Sequence, residues 1–152
     1  MARYRCDMIT ARQIELVQDS FAQVLPTAQS AAAEFYRRLF ELAPDTRALF
    51  RGDMADQGRK LFLTLATIVD SLHELDRVAP VAAALAVRHV GYGVRDRHYA
   101  AVGQALMDTL RGALGARFDE PTQAAWAAAY GVLSTVMLAA ARDAPRGSIV
   151  AA

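Results

Sequence analysis

The sequence has a single cysteine, Cys6, so no disulfide can form within the chain. Cys6 reads as an incidental thiol near the N-terminus, and the lack of disulfides fits a reducing compartment; a cytoplasmic location is the expectation. The opening MARYRCDMIT lacks the apolar core of a secretory signal. There is no CxxC pair, no HExxH, no GxGxxG, no GxxxxGK[ST] and no nucleophile elbow, so the commonest zinc, dinucleotide, nucleotide and hydrolase chemistries have no motif to rest on. Charge of one sign is also missing. Seventeen basic residues face sixteen acidic ones, with no basic block, which argues against a nucleic-acid partner. Glu34, Glu41, Asp45 and Asp53 are expected on polar faces or turns, so paired-carboxylate chemistry has no support. His73 and His98 flank helix ends among charged neighbours and are expected to be solvated.

Alternating apolar runs are scarce, whereas alanine is abundant and 54% of residues are hydrophobic. That pattern predicts helices. The length suits one domain, taken as 1–152, with a core over about 10–142 and a mobile tail over 143–152. Thr10 to Gln13 fits a capping box, followed by the stripe Ile14, Val17, Phe21 and Val24. Pro26 breaks or restarts the chain before a second helix over roughly 27–42. Pro44 opens a short helical turn to Phe50. Arg51 to Ala55 reads as a polar connection, and the helical period returns from Gln57 through Leu61, Leu65, Ile68, Val69 and Leu72. Gly91 and Gly93 stop the next helix, Asp96 can cap the one after it, and Gly115 closes that one. Asp119 and Pro121 start the last helix, which runs to about 142. The sum is an all-α domain of about six to seven helices.

Two segments carry more information. Residues 121–141 are uncharged and long enough to span a bilayer. However, Gln123, Ser134 and Thr135 interrupt them, and Trp126, Ala129, Tyr130, Leu133 and Met137 fall on one stripe, as in a buried core helix; no membrane partner is expected. The second segment is the stripe Val78, Val81, Ala82, Leu85 and His89, which helical spacing puts on one buried face. Its last member is an imidazole that either finds a hydrogen-bond partner or holds a metal. Periodicity alone leaves both open.

Four stretches together resemble the bacterial single-domain globins and the haem domain of flavohaemoglobins. They are FYRRLFELAPDTRALF at 35–50, QGRKLFLTLATIV at 57–69, VRHVGYGVRDRHYAAVGQAL at 87–106 and WAAAYGV at 126–132. The resemblance covers about residues 10–140 and implies a globin fold around haem b (iron protoporphyrin IX), held without thioether bonds because CxxCH is absent. It implies that His89 is the proximal iron ligand, with the carbonyl of Leu85 one turn back as the natural acceptor for its other nitrogen. It places Phe50 as the aromatic wedged against the haem, and Tyr36 and Gln57 as distal hydrogen-bond donors to a bound gas. Leu61 supplies the apolar wall beside them. Lys60, Arg88 and Arg95 are candidates to reach the haem propionates, and Val94, Val102 and Met137 are candidate apolar contacts.

Tyr99 matches a tyrosine that flavohaemoglobins place in a hydrogen-bonded set with the proximal histidine and a glutamate. Where the glutamate aligns, this chain has Ala141, so electron push toward O–O cleavage should be weaker. The chain ends soon after the haem domain, so flavin and nicotinamide modules are not expected, and turnover would borrow a separate reductase. The implied function is reversible binding of dioxygen, nitric oxide and carbon monoxide, for oxygen storage or delivery (oxygen transport) or nitric oxide handling. The alternatives are a nitric oxide dioxygenase working with a separate reductase, and a helical interaction module without haem in which His89 is structural. Trp126 and Tyr130 fall where related globins sometimes form homodimers.

Overall fold

The computed structural model describes residues 9–91 and 93–143. Cys6 and almost all of the tail lie outside them. Within them are six α-helices and three short 3-10 turns, with no strand. The first helix, α1 (Ala11–Val24), opens on the expected capping box: Gln13 N–H donates to Thr10 Oγ1 and Thr10 N–H to Gln13 Oε1, both at 3.0 Å. Its apolar face packs on α6 (Glu120–Asp143), where the Trp126 indole N–H donates to Ser20 Oγ at 2.8 Å. Pro26 does not break the chain. It sits in a 3-10 turn, Leu25–Thr27, that leads straight into α2 (Ala28–Leu42), because a proline in a first turn gives up only an N–H that had no helical partner.

The 3-10 turn Pro44–Leu49 carries the chain to Phe50 and on to α3 (Met54–Asp70). This helix starts before Gln57, since Asp53 caps it through a bond from Ala55 N–H to its carboxylate at 3.1 Å; the polar run hid a capped first turn. α2 and α3 cross closely at Gly58, where a Cβ would stand 2.9 Å from the Ala32 Cβ. α4 (Leu75–Gly91) holds Pro80 in its interior and packs along α6. The expected stripe is corrected at one position: Val81 is 51% exposed, and the buried line of α4 is Val78, Ala82 and Ala86, with Leu85 and His89 half-buried beside it. α5 (Asp96–Leu114) has Arg95, not Asp96, at its cap, and ends at Gly115 with φ +56°.

α6 is long and apolar enough to cross a membrane, yet its large residues are internal: Trp126, Val132, Val136 and Met137 pack against α1 and α4. The core divides into three clusters. One lies under α1 and the start of α6, one between α4 and the end of α6, and one between α2 and α5. α3 and α4 make little direct contact with each other. The space between them is where the site lies.

Candidate functional site

A cavity of about 160 Å³ lies among α3, α4, α5 and α6 and reaches Phe21 of α1 and Phe35 of α2. Six of the expected haem-site residues line it, Leu61, His89, Val94, Tyr99, Val102 and Met137, together with His98, Trp126 and Tyr130. So do Leu65 and Ile68, which extend the Leu61 face by helical spacing, and Leu85, one turn before His89. Phe35 and Leu133 also line it, though nothing in the sequence distinguishes them from ordinary core.

His89 is half-buried in the wall. Its Nδ1 stands 2.7 Å from the carbonyl oxygen of Leu85. A carbonyl can only accept, so Nδ1 carries the proton and Nε2 carries the lone pair. Burial pushes the His89 pKa below its ordinary value, against the pull of the Leu85 carbonyl and with the help of Arg88. The ring is therefore a neutral imidazole with a donor nitrogen. Among the described residues, no group of three or more histidine, cysteine, aspartate or glutamate side chains could hold a metal ion. A metal at His89 would take its other ligands from a bound group.

Tyr36 and Gln57 come together across α2 and α3. Burial raises the Tyr36 pKa, and a hydrogen bond with the Gln57 side chain opposes the rise. The Tyr36 ring meets Phe35 and Phe50 edge-on, with centroids 5.1 and 5.2 Å away, and stacks on Phe40 at 6.0 Å. These rings share a cluster with Leu61 and Val102. Tyr36 and Phe50 are thus linked to the cavity through its lining residues Phe35, Leu61, Val102 and Leu106, and neither they nor Gln57 line it. Lys60, Arg88 and Arg95 are exposed and do not line it either.

On the α5–α6 side, the Tyr99 hydroxyl is buried and has no hydrogen-bond partner among the described residues. Ala141 is buried in the same cluster as Tyr99. Tyr130 donates to the Tyr99 carbonyl at 2.5 Å, and burial pushes its phenol far up. Gly103 makes room for that ring: a Cβ there would stand 2.8 Å from Tyr130 Cε2. Trp126 is buried and bonded to Ser20, and Tyr130 is half-buried. His98 corrects another expectation. It is only 3% exposed, because both ring nitrogens have partners, Arg95 N–H at 2.9 Å and Asp45 Oδ2 at 2.8 Å. His73 is exposed, as expected.

Residues 33–137 match the Globin family. The flavohemoprotein of Vibrio cholerae is 25% identical over 134 residues, which cover 86% of this chain and 34% of that protein. The flavohemoprotein of Bordetella parapertussis is 31% identical over 113 residues, covering 72% of this chain and 28% of that protein. The chain spans about a third of the length of these relatives. Among solved structures, a bacterial globin from Campylobacter jejuni superposes with a TM-score of 0.76 at 24% identity, over 88% of this chain and 96% of that one. An all-helical fold, a histidine in the wall of an apolar cavity and a family match across most of the chain agree, and the chain belongs to the globin family.

Proposed function

We propose that this globin holds a haem of the b type through His89 and binds dioxygen and other diatomic gases reversibly. The haem itself follows from family membership; the ligand, the haem type and the gas chemistry are our reading. The residues present fit the group. The cavity offers one neutral imidazole whose tautomer is fixed by Leu85, apolar walls from α3 and α5, and a buried hydroxyl on Tyr99. The observation that carries the reading is the Leu85–His89 contact at 2.7 Å, because it orients a donor nitrogen in the wall of a cavity otherwise lined largely by apolar side chains.

When bound, haem supplies an iron that takes up and releases small gases. The chain's part is to orient His89, to exclude water with Leu61, Val94, Val102 and Met137, and to keep a phenol protonated near the gas. Tyr36 remains a donor at neutral pH, since burial raises its pKa. The Gln57 side chain is near enough to that phenol to oppose the rise. Lys60, Arg88 and Arg95 remain candidates for the haem carboxylates, from the rim.

A nitric oxide dioxygenase supported by a separate reductase is the second reading, favoured by the flavohemoprotein relatives. Ala141 beside the unpartnered Tyr99 hydroxyl weighs toward reversible binding, because no carboxylate strengthens the imidazole through Tyr99. Ferric, ferrous and oxygenated visible spectra of the reconstituted protein test the first reading. A Soret band that His89→Ala abolishes or shifts supports it; no band, or unchanged ligation in the variant, ends it. Sustained nitric oxide consumption with a reductase, faster than simple scavenging, would favour the enzyme.

A further inference from the structure

His98 lies nine-tenths buried at the start of α5, and both of its ring nitrogens are engaged. Nδ1 accepts from the Arg95 N–H at 2.9 Å. A ring nitrogen that accepts carries no proton, so the proton is on Nε2, which donates to Asp45 Oδ2 at 2.8 Å. Asp45 belongs to the Pro44–Leu49 turn, far away in sequence, and Arg97 binds the same carboxylate oxygen at 2.5 Å.

Each end of this contact leads to one side of the cavity. The turn runs directly into Phe50, whose ring lies 5.2 Å from Tyr36 and 5.7 Å from Phe40. At the other end, Arg95 follows Val94, whose N–H donates to the carbonyl of His89 at 3.0 Å, and Gly93 N–H donates to Val90 at 3.1 Å. One connected path therefore runs from the Tyr36 cluster through Phe50, the turn, Asp45, His98 and Arg95 to the backbone of His89.

We propose that His98 and Asp45 are positioning residues that tie the Phe50 turn to the corner following His89, fixing how the two sides of the cavity stand relative to each other. The consequence for haem rests on the function proposed above; the tie itself does not. An N-terminal cap alone would need only Nδ1. The second bond spends a buried proton on a residue from another element, and it joins the turn that leads to Phe50 to the start of α5, where Val94 and His98 line the cavity.

Two variants separate the cap from the tie. In His98→Asn, the amide oxygen can still accept from Arg95 N–H, but the side chain is too short to reach Asp45. Asp45→Ala removes the acceptor and leaves the ring. Amide hydrogen exchange in the haem-free protein is the first measurement. Exchange at Phe50 and at Val94 should speed up together in either variant, with no further gain in the double variant. Haem transfer to an acceptor globin is the second. Each single variant should lose haem roughly three- to tenfold faster, again without added effect in combination, and Asp45→Asn, which keeps an acceptor oxygen, should recover most of the loss. Unchanged exchange at Phe50 in Asp45→Ala, or effects that add in the double variant, would overturn the proposal. If no haem binds, the gas-binding function fails, and the exchange measurement still decides for or against the tie.

Discussion

Two tyrosines stand at the candidate site, Tyr99 in the cavity wall and Tyr36 in the ring cluster beside it, and they are treated differently. On the α2–α3 side, Tyr36 is packed among three rings and the Gln57 side chain is the polar group that acts on its phenol. On the α5–α6 side, Tyr99 buries a hydroxyl with no partner among the described residues, and its neighbour in the cluster is the methyl group of Ala141. Burial raises both phenols above their ordinary value. Burial keeps both protons in place, but only Tyr36 has a polar side chain, Gln57, acting on its phenol. Tyr36 is a protonated phenol held by the rings around it. Tyr99 carries the desolvation cost of a polar group without the hydrogen bond that would offset it.

The largest expected effect tests whether the two sides serve one centre. His89→Ala should abolish normal haem ligation, read as loss or displacement of the Soret band, while far-ultraviolet circular dichroism stays helical. Next, Tyr36→Phe should speed dioxygen release by roughly ten- to a hundredfold, corresponding to the loss of about 1.5–3 kcal/mol for a hydrogen bond to a charged group. An unchanged rate in stopped-flow measurements would mean that the phenol does not reach the gas. Tyr99→Phe should do the opposite of harm. Removing an unsatisfied buried hydroxyl should leave thermal stability equal or higher, by up to about 1 kcal/mol, with little change in dioxygen release. A clear loss of stability would show that Tyr99 has a partner after all, and the contrast would collapse.

The smallest effect is in alkali. Tyr36, Tyr99 and Tyr130 all have folded-state pKa values raised above 10.0, by burial first. The stability they contribute is fully present below pH about 10, the unfolded value, and is lost as pH rises through the folded values. Tyrosinate absorbance should therefore develop late in the folded protein, with the latest component missing in Tyr130→Phe. Normal titration of all tyrosines would contradict the burial of these rings.

Much of the fold was legible because helix ends have local chemistry. The Thr10 box, the Asp119 start and the Gly115 stop depend on neighbours within one turn, and they stand where the sequence put them. His89 and its Leu85 acceptor were legible for the same reason, being one turn apart on one helix. What was not legible depends on distant contacts. Val81 has the right spacing for the core, yet α6 covers the Val78, Ala82 and Ala86 line instead. His98 sits among charges that suggest solvent, and its burial comes from Asp45, which no local pattern links to it. The pairing of Tyr36 with Gln57 came from family resemblance, not from periodicity, since it joins two helices.

Gly103 has a mechanical consequence. The Tyr130 ring sits against its bare backbone, closer than any side chain would allow, while the Tyr130 hydroxyl is fastened to the Tyr99 carbonyl one turn earlier on the same helix. A ring seated in a notch and pinned at its tip works as a key in a keyway. It resists sliding or rolling of α5 along α6, so the α5–α6 wall of the cavity is held at the level of Tyr99 and Gly103.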